Sequence, residues 1–296
     1  MNPERAAINS LDNRKRIDEI KETAQLLLPT YGKIAEIMEK ISIHPENFEN
    51  LYGAETIQAD RQYVARMKEK FKQEDDEAGP NGLTKGDIRK IAEILEFQII
   101  RGINQGLWLP GCTATKTTEY DDIRHGVDLV LTYEKDLRIE NMGIGVDVSF
   151  SHNLQNKFQR IKDEIDSYDA TKDGQLGVVK YFHQRKTGFR GELSNLPRVV
   201  IALDIGVMKD LARAKEGGKD HMARHSILSE MEMQLAVFAD YAQKQNPACL
   251  DHIMRAQNFV RGLINELNTK EILQNSQYEK NFKIQEAVEK GLSLFR

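Results

Sequence analysis

Two aspartates sit where aspartate is disfavoured. Asp128 lies in Val127-Asp128-Leu129-Val130-Leu131-Thr132-Tyr133 and Asp147 in Ile144-Gly145-Val146-Asp147-Val148-Ser149-Phe150. Both runs alternate with the period of a half-buried strand. The short polar side chain of aspartate prefers turns, so two of them on apolar strands need a reason. An unbulged antiparallel hairpin centred on the polar loop 135–140 puts Asp128 directly opposite Asp147, with Cβ atoms about 4.5–5.5 Å apart. Like charges so placed repel, and one carboxyl titrates high unless a cation sits between them. Mg2+, or Mn2+ in its place, suits carboxylate oxygens and keeps several waters, so two strand aspartates suffice if a third oxygen donor approaches. The alternative is a bulge that slips the register, or one aspartate turned to solvent.

Two further clusters could serve the same chemistry. Glu119-Tyr120-Asp121-Asp122 immediately precedes the first aspartate strand, and Asp122 could add an oxygen ligand there; otherwise the cluster is a solvated loop. Lys180-Tyr181-Phe182-His183-Gln184-Arg185-Lys186-Thr187-Gly188-Phe189-Arg190 carries four cations and no acid. Aromatic residues interleaved with cations suit a phosphate backbone with stacked bases, which would make Lys180, Arg185, Lys186 and Arg190 nucleic-acid contacts. The competing reading is that the rings are strand core and the cations decorate a hairpin turn. Three other patterns fail. Gly106 to Thr113 has P-loop spacing but carries Cys112 at the lysine position. The loop starting at Asp169 ends on Lys180 where a calcium loop needs glutamate, and His221 and His225 lack the acid that accompanies a helical zinc pair.

The elements that must position these residues follow from spacing and punctuation. Two helices are expected from Ser10 to Glu39, interrupted at Pro29 and Gly32, and a third, highly charged one around Ile57 to Phe71. Acids and turn formers from Glu74 to Gly82 mark a boundary. Thr84 can cap a helix with Asp87 in its first turn and Ile91, Leu95, Ile99 and Ile103 on its apolar face, running to about Gln105. The two aspartate strands follow, then a helix from Asn153 to Tyr168, a strand from Gly177 to Phe182 and another from Arg198 to Asp204. Beyond Val207, the stripes Leu228, Met231, Leu235, Phe238 and Ile253, Val260, Leu263, Leu267 read as an antiparallel helical pair broken at Pro247. The expected organisation is a helical region over 1–80, an α/β core over 81–206 and a helical hairpin region over 207–296.

Over residues 84–205, the order helix, Asp128 strand, Asp147 strand, helix, strand resembles the PD-(D/E)XK nuclease superfamily. The resemblance implies an α/β (α+β) fold with a central mixed sheet of αβββαβ type, here flanked by helices, and a metal-dependent nuclease that hydrolyses phosphodiesters in DNA or RNA. It makes Asp128 and Asp147 catalytic metal ligands and gives Glu96, on the first helix, the place of the superfamily's helical glutamate. The chain departs from the motif at Ser149, where the superfamily has lysine. Superfamily members can move that lysine, and the resemblance offers Lys180 on the following strand, or Lys157 on the intervening helix, as the catalytic amine. Without such an amine the same core would be an inactive interaction or nucleic-acid-binding module; the acids could also serve a hydrolase of small nucleotides.

Composition limits the remaining possibilities. The 296 residues are 40% hydrophobic and 30% charged, too apolar for a disordered chain. No apolar run approaches membrane-spanning length, and the amino terminus is charged where a signal peptide is apolar, so a cytoplasmic protein without membrane partners is expected. Two distant cysteines exclude a disulfide framework and a cysteine zinc cluster. The net charge of −4 excludes a generally basic coat and leaves room for a local basic groove. The flanking helices are expected to meet nucleic acid, a partner or a second copy of the chain.

Overall fold

Caps and apolar spacing divide the chain into elements much as the sequence indicates. The computed structural model describes residues 17–78, 83–106, 108–135, 138–150, 153–171, 174–185, 187–213, 223–267 and 282–296. Helices α1 (17–27) and α2 (Tyr31–Ile41) are separated by a single 3-10 turn that carries Pro29. The charged helix α3 spans Ala54–Glu74. Helix α4 (Lys85–Asn104) starts at Thr84, whose hydroxyl accepts the Asp87 N–H at 3.1 Å, the cap expected from sequence. Then come β1 (Cys112–Lys116), α5 (Glu119–His125), β2 (Leu129–Lys135), β3 (Arg138–Ser149) and α6 (Gln155–Ser167). Strands β4 (Gly177–Gln184), β5 (Phe189–Leu196) and β6 (Arg198–Ala202) precede α7 (Ile205–Arg213), α8 (Ala223–Gln245), α9 (Leu250–Glu266) and α10 (Phe282–Leu292). Among the described residues, no helix is long and apolar enough to cross a membrane.

The central sheet has the order β1-β2-β3-β6. Its first three strands are antiparallel, and β6 lies parallel to β3 after the crossover through α6. The fold is therefore mixed α+β, with the core order helix, three strands, helix, strand. Two details differ from the sequence expectation. The Gly177–Phe182 strand forms, but it pairs only with β5 in a separate hairpin inserted between α6 and β6. The third antiparallel strand is instead β1, whose five residues Cys-Thr-Ala-Thr-Lys are too short and polar to show a clear period.

The aspartate hairpin keeps the expected register from Leu129 opposite Val146 to Tyr133 opposite Met142, and shifts only beside its loop. The regular ladder ends one residue short of the aspartates. There the Asp128 N–H donates to the Val146 carbonyl at 2.9 Å, while the Asp128 carboxylate accepts the Val148 N–H at 2.6 Å. A side chain thus replaces a backbone acceptor at the point where the strands part.

One apolar core joins all three expected regions. Leu27, Ile34 and Met38 from the N-terminal helices, Leu129, Leu131, Ile144 and Val146 from one face of the sheet, and the Leu228-Met231-Leu235 stripe of α8 belong to the same buried cluster. The inserted hairpin seats on Val130, on the opposite face, through Val179, Phe182 and Leu196. Strand β6 would expose an unpaired edge. Gln234 of α8 covers it, accepting the Val200 N–H at 2.8 Å and donating to the Val200 carbonyl at 2.7 Å, and Glu230 accepts the Ala202 N–H at 3.0 Å.

Candidate active site

The acids gather where β2 and β3 leave the sheet. Asp147 is buried on β3, and the Lys157 ammonium, from the first turn of α6, contacts its carboxylate and reaches the Val148 carbonyl at 3.5 Å. Behind it, Arg198 at the start of β6 approaches Asp147 at 3.8 Å and pairs with Glu164 at 2.5 Å. Arg198 also donates to the His125 and Gly126 carbonyls, each at 2.8 Å. These bonds tie the end of α5 to β6 and fix the backbone that leads into Asp128. Thr117 completes the brace, its N–H donating to the Asp128 carbonyl at 3.1 Å and its hydroxyl to the Val127 carbonyl at 2.5 Å.

Asp122 and Glu96 approach from two helices. Thr118 caps α5, accepting the Asp121 N–H at 3.2 Å, and the helix delivers Asp122 into hydrogen-bonding contact with Asp128. The Glu119–Asp122 cluster is therefore helix rather than loop; Thr118, Asp121 three residues later and Gly126 in the left-handed C-terminal position carry that signal in the sequence. Glu96 lies buried on α4 and pairs with Lys116 of β1 at 2.8 Å, a partner the sequence did not single out. Asp122, Asp128, Asp147 and Lys157 line one cavity of about 230 Å³, with Asn156 and Arg160 at its mouth. Glu96, Asp122, Asp128 and Lys157 also share a larger one of about 730 Å³.

The electrostatics follow from burial. Desolvation pushes Asp122 well above the ordinary aspartate range, reinforced by Asp128 and Glu96. Asp128 is raised by burial and by Glu96, against the opposing pull of Lys157. Asp147 is raised to about 6 by burial, although Lys157 and Arg198 pull the other way. Burial likewise raises Glu96 despite Lys116. Lys157 pays for its own burial, yet Asp147, Asp128 and Asp122 together hold its pKa above the ordinary lysine value. Four carboxyls thus face two lysine ammonium groups, with Arg198 shared with Glu164.

Of the two lysines expected as the amine, Lys180 stands apart from this cluster, a correction to its place in the expected site. Its ammonium contacts Asp60 of α3 and lies 5.2–5.5 Å from the ring centroids of Tyr52, Tyr120 and Tyr181. The amine beside the paired aspartates is that of Lys157. Two aromatic residues of the basic segment are also not available to bases: Tyr181 and Phe182 are buried in two small cores, while Phe189 is half-buried against the second of these rings. Arg185 and Arg190 are exposed near the hairpin turn, and Arg190 spans the Phe48 ring and bonds the Asn47 carbonyl. Lys186 and His221 lie outside the described residues, as does the expected boundary between 80 and 81.

Among the described residues, no three His, Cys, Asp or Glu side chains form a ready-made metal cage. The acids are engaged instead by cations and backbone: Lys157 contacts Asp147, Lys116 pairs with Glu96, and the Val148 N–H donates to Asp128. The donor set nevertheless fits a hard divalent cation, because Asp122 and Asp128 are neighbouring buried carboxyls that share a hydrogen bond and are both costly to ionise, a cost that added positive charge would relieve. No family model, curated protein or solved structure matches the chain, so the chemistry must be read from these residues alone.

Proposed function

We propose that this chain is a metal-dependent phosphodiester hydrolase acting on nucleic acid. The observation that carries the reading is the convergence of Asp128, Asp147 and the Lys157 amine at the end of a hairpin, with Glu96 behind them on the preceding helix. Together with the helix, three-strand, helix, strand order, this is the arrangement that likeness to PD-(D/E)XK nucleases implies, with Lys157 taking over from Ser149. Asp128, Asp147, Asp122 and Glu96 would hold Mg2+ or Mn2+, which when bound polarises a phosphate oxygen and makes a neighbouring water more acidic.

The chain's own residues do the rest. Lys157 sits on the wall of the acid cavity, where its charge offsets negative charge growing on the phosphate and its N–H groups orient the attacking water. Arg160 and Asn156, exposed one helical turn apart from each other on α6, offer a charged and a neutral donor to the non-reacting phosphate oxygens. Arg198 keeps Asp147 aimed into the cavity. Hydrolysis places the water oxygen on phosphorus and sends a proton to the departing sugar oxygen.

The test is cleavage of DNA and RNA, single- and double-stranded, with Mg2+ or Mn2+. Wild type should cut at least one polymer, and Asp147→Asn and Lys157→Met should lose cutting while keeping the wild-type circular dichroism spectrum. A folded wild-type protein that cuts none of them would remove the hydrolase and leave an inactive module on the same core.

A further inference from the structure

A smaller cleft carries the opposite charge to the acid site. It lies between the free edge of β1 and the end of β4, encloses about 150 Å³ and shares no residue with the two cavities that hold Asp128. Arg185 and His183 line it, and no carboxylate does. Arg185 enters no ion pair among the described residues. Burial, then Arg190 and Arg185, push the His183 imidazole below its ordinary pKa, and no acid offsets them. The field in this cleft is positive and unneutralised.

Neutral donors complete the lining. Thr113 and Thr115 turn to the face of the sheet on which the β4–β5 hairpin sits, the face that Val130, opposite Thr115, shares with Val179 and Phe182. Gln184 is only 3% exposed; its amide oxygen accepts the Thr187 hydroxyl at 2.9 Å, and its amide nitrogen has no acceptor among the described residues. At the strand edge, Asn104 of α4 covers only Ala114, accepting its N–H and donating to its carbonyl, each at 2.8 Å. Strand alternation puts the Lys116 N–H on the same edge, beside the cleft, while the Lys116 ammonium turns away to Glu96. Ile41 and Ile43 form an apolar wall.

Size and donor number select the ligand. The space exceeds what a single water needs and falls well short of the about 300–1,000 Å³ that encloses a whole small molecule, so it suits one anionic group. The donors outnumber the about four lone-pair sites of a carboxylate, whereas the oxygens of a phosphate can accept them all.

We propose that this cleft is a phosphate-binding subsite separate from the acid cavity, with Arg185 and His183 as its cations and Thr113, Thr115 and Gln184 as its neutral donors. The phosphate belongs either to a nucleic-acid strand or to free phosphate.

The experiment titrates inorganic phosphate into the full chain in EDTA at fixed ionic strength and reads binding from 31P line broadening. The expected result is saturable binding to wild type, weakened about 10-fold or more in Arg185→Ser and several-fold in Thr115→Val, the scale of losing a charged and a neutral hydrogen bond. Arg255→Gln, which removes an exposed cation outside the cleft, should bind as wild type does. Absence of saturable binding to wild type, unchanged binding in the two cleft variants, or an equal loss in Arg255→Gln overturns the subsite. A fluorescent 5′-phosphorylated oligonucleotide identifies the source: displacement by phosphate from wild type but not from Arg185→Ser assigns the cleft to a strand, and phosphate binding without displacement assigns it to the free anion. Both measurements run without metal or turnover, so a protein that cuts nothing still tests the subsite, and a failed subsite leaves the hydrolase reading standing.

Discussion

Replacing Asp147 by asparagine in the metal-free protein should change how stability depends on pH, by an amount the site itself sets. Burial raises the Asp147 carboxyl from the ordinary value of 3.8 to about 6. Its folded pKa lies above the unfolded one, so the native state binds more protons across that window and stability falls as pH rises through it. The full difference corresponds to about 3 kcal/mol at a pH well above both values. Roughly half is already present at pH 5, leaving about 1–2 kcal/mol to appear between pH 5 and 8. Asp147→Asn keeps the shape and removes the titration. In urea unfolding with EDTA, the variant should therefore gain about 1–2 kcal/mol on wild type between pH 5 and pH 8. Glu96, Asp122 and Asp128 titrate upward in both proteins and largely cancel in the difference. A saturating divalent cation, at about 100 times its Kd, should then add about 3 kcal/mol to wild type at pH 8 and much less to the variant. A gap between the two proteins that stays constant from pH 5 to 8 would refute the assignment of a raised carboxyl to Asp147; equal stabilisation of both by the cation would remove Asp147 from the ligand set.

The two lysines separate by what they touch. Lys157→Met should cut turnover about 100-fold or more, the scale of losing one charged group at a developing negative charge. Lys180→Met, which strips Asp60 of its ammonium partner and leaves the acid cluster untouched, should lower the urea midpoint and spare most of the turnover. The reverse ranking in a cleavage assay would return the catalytic role to Lys180. Arg198→Met leaves Glu164 and Asp147 without their shared cation in a buried setting, and unfolding should show a loss of about 3–5 kcal/mol. Gln234→Leu strands the Val200 N–H and carbonyl at the sheet edge, and a loss of about 2–4 kcal/mol is expected from two unsatisfied buried groups; an unchanged midpoint would show that the edge finds other partners.

The parts of the fold that sequence made legible are those where one local rule acts alone. Thr84 with Asp87 caps α4, and Leu228, Met231, Leu235 and Phe238 line the buried stripe of α8, as their spacing requires. The aspartate hairpin kept its register because Leu129, Leu131, Ile144 and Val146 must all reach the same core, and a slip of one residue would turn them out. Strand β1 has no legible sequence signal because Thr113 and Thr115 mask any alternation, and its place is decided by pairing with β2 rather than by its own residues. Lys180 lies on the expected strand yet away from the acids for a similar reason. Strand periodicity gives the existence of β4 but not which sheet it joins, and β4 joins β5, away from the acids.

The site shows why Asp128 and Asp147 could be placed from sequence while their amine stayed a choice between Lys180 and Lys157. Both acids interrupt apolar alternation, a conflict within the local pattern that reports itself. A lysine on a helix breaks no rule, and Lys157 is one of three cations on α6, beside Arg160 and Lys162. What selects it is the crossover: β3 must leave the sheet, turn into α6 and return as β6 parallel to itself, so the first turn of α6 necessarily sits over the end of β3. That end is Asp147-Val148-Ser149, and Lys157, eight residues after Ser149, lands on Asp147 and the Val148 carbonyl. Ser149 leaves the position two residues after Asp147 without a charge, and the helix that topology brings back over the strand supplies one from above. The choice of Lys157 over Lys180 is thus a property of the parallel connection, decided once β6 is known to lie beside β3.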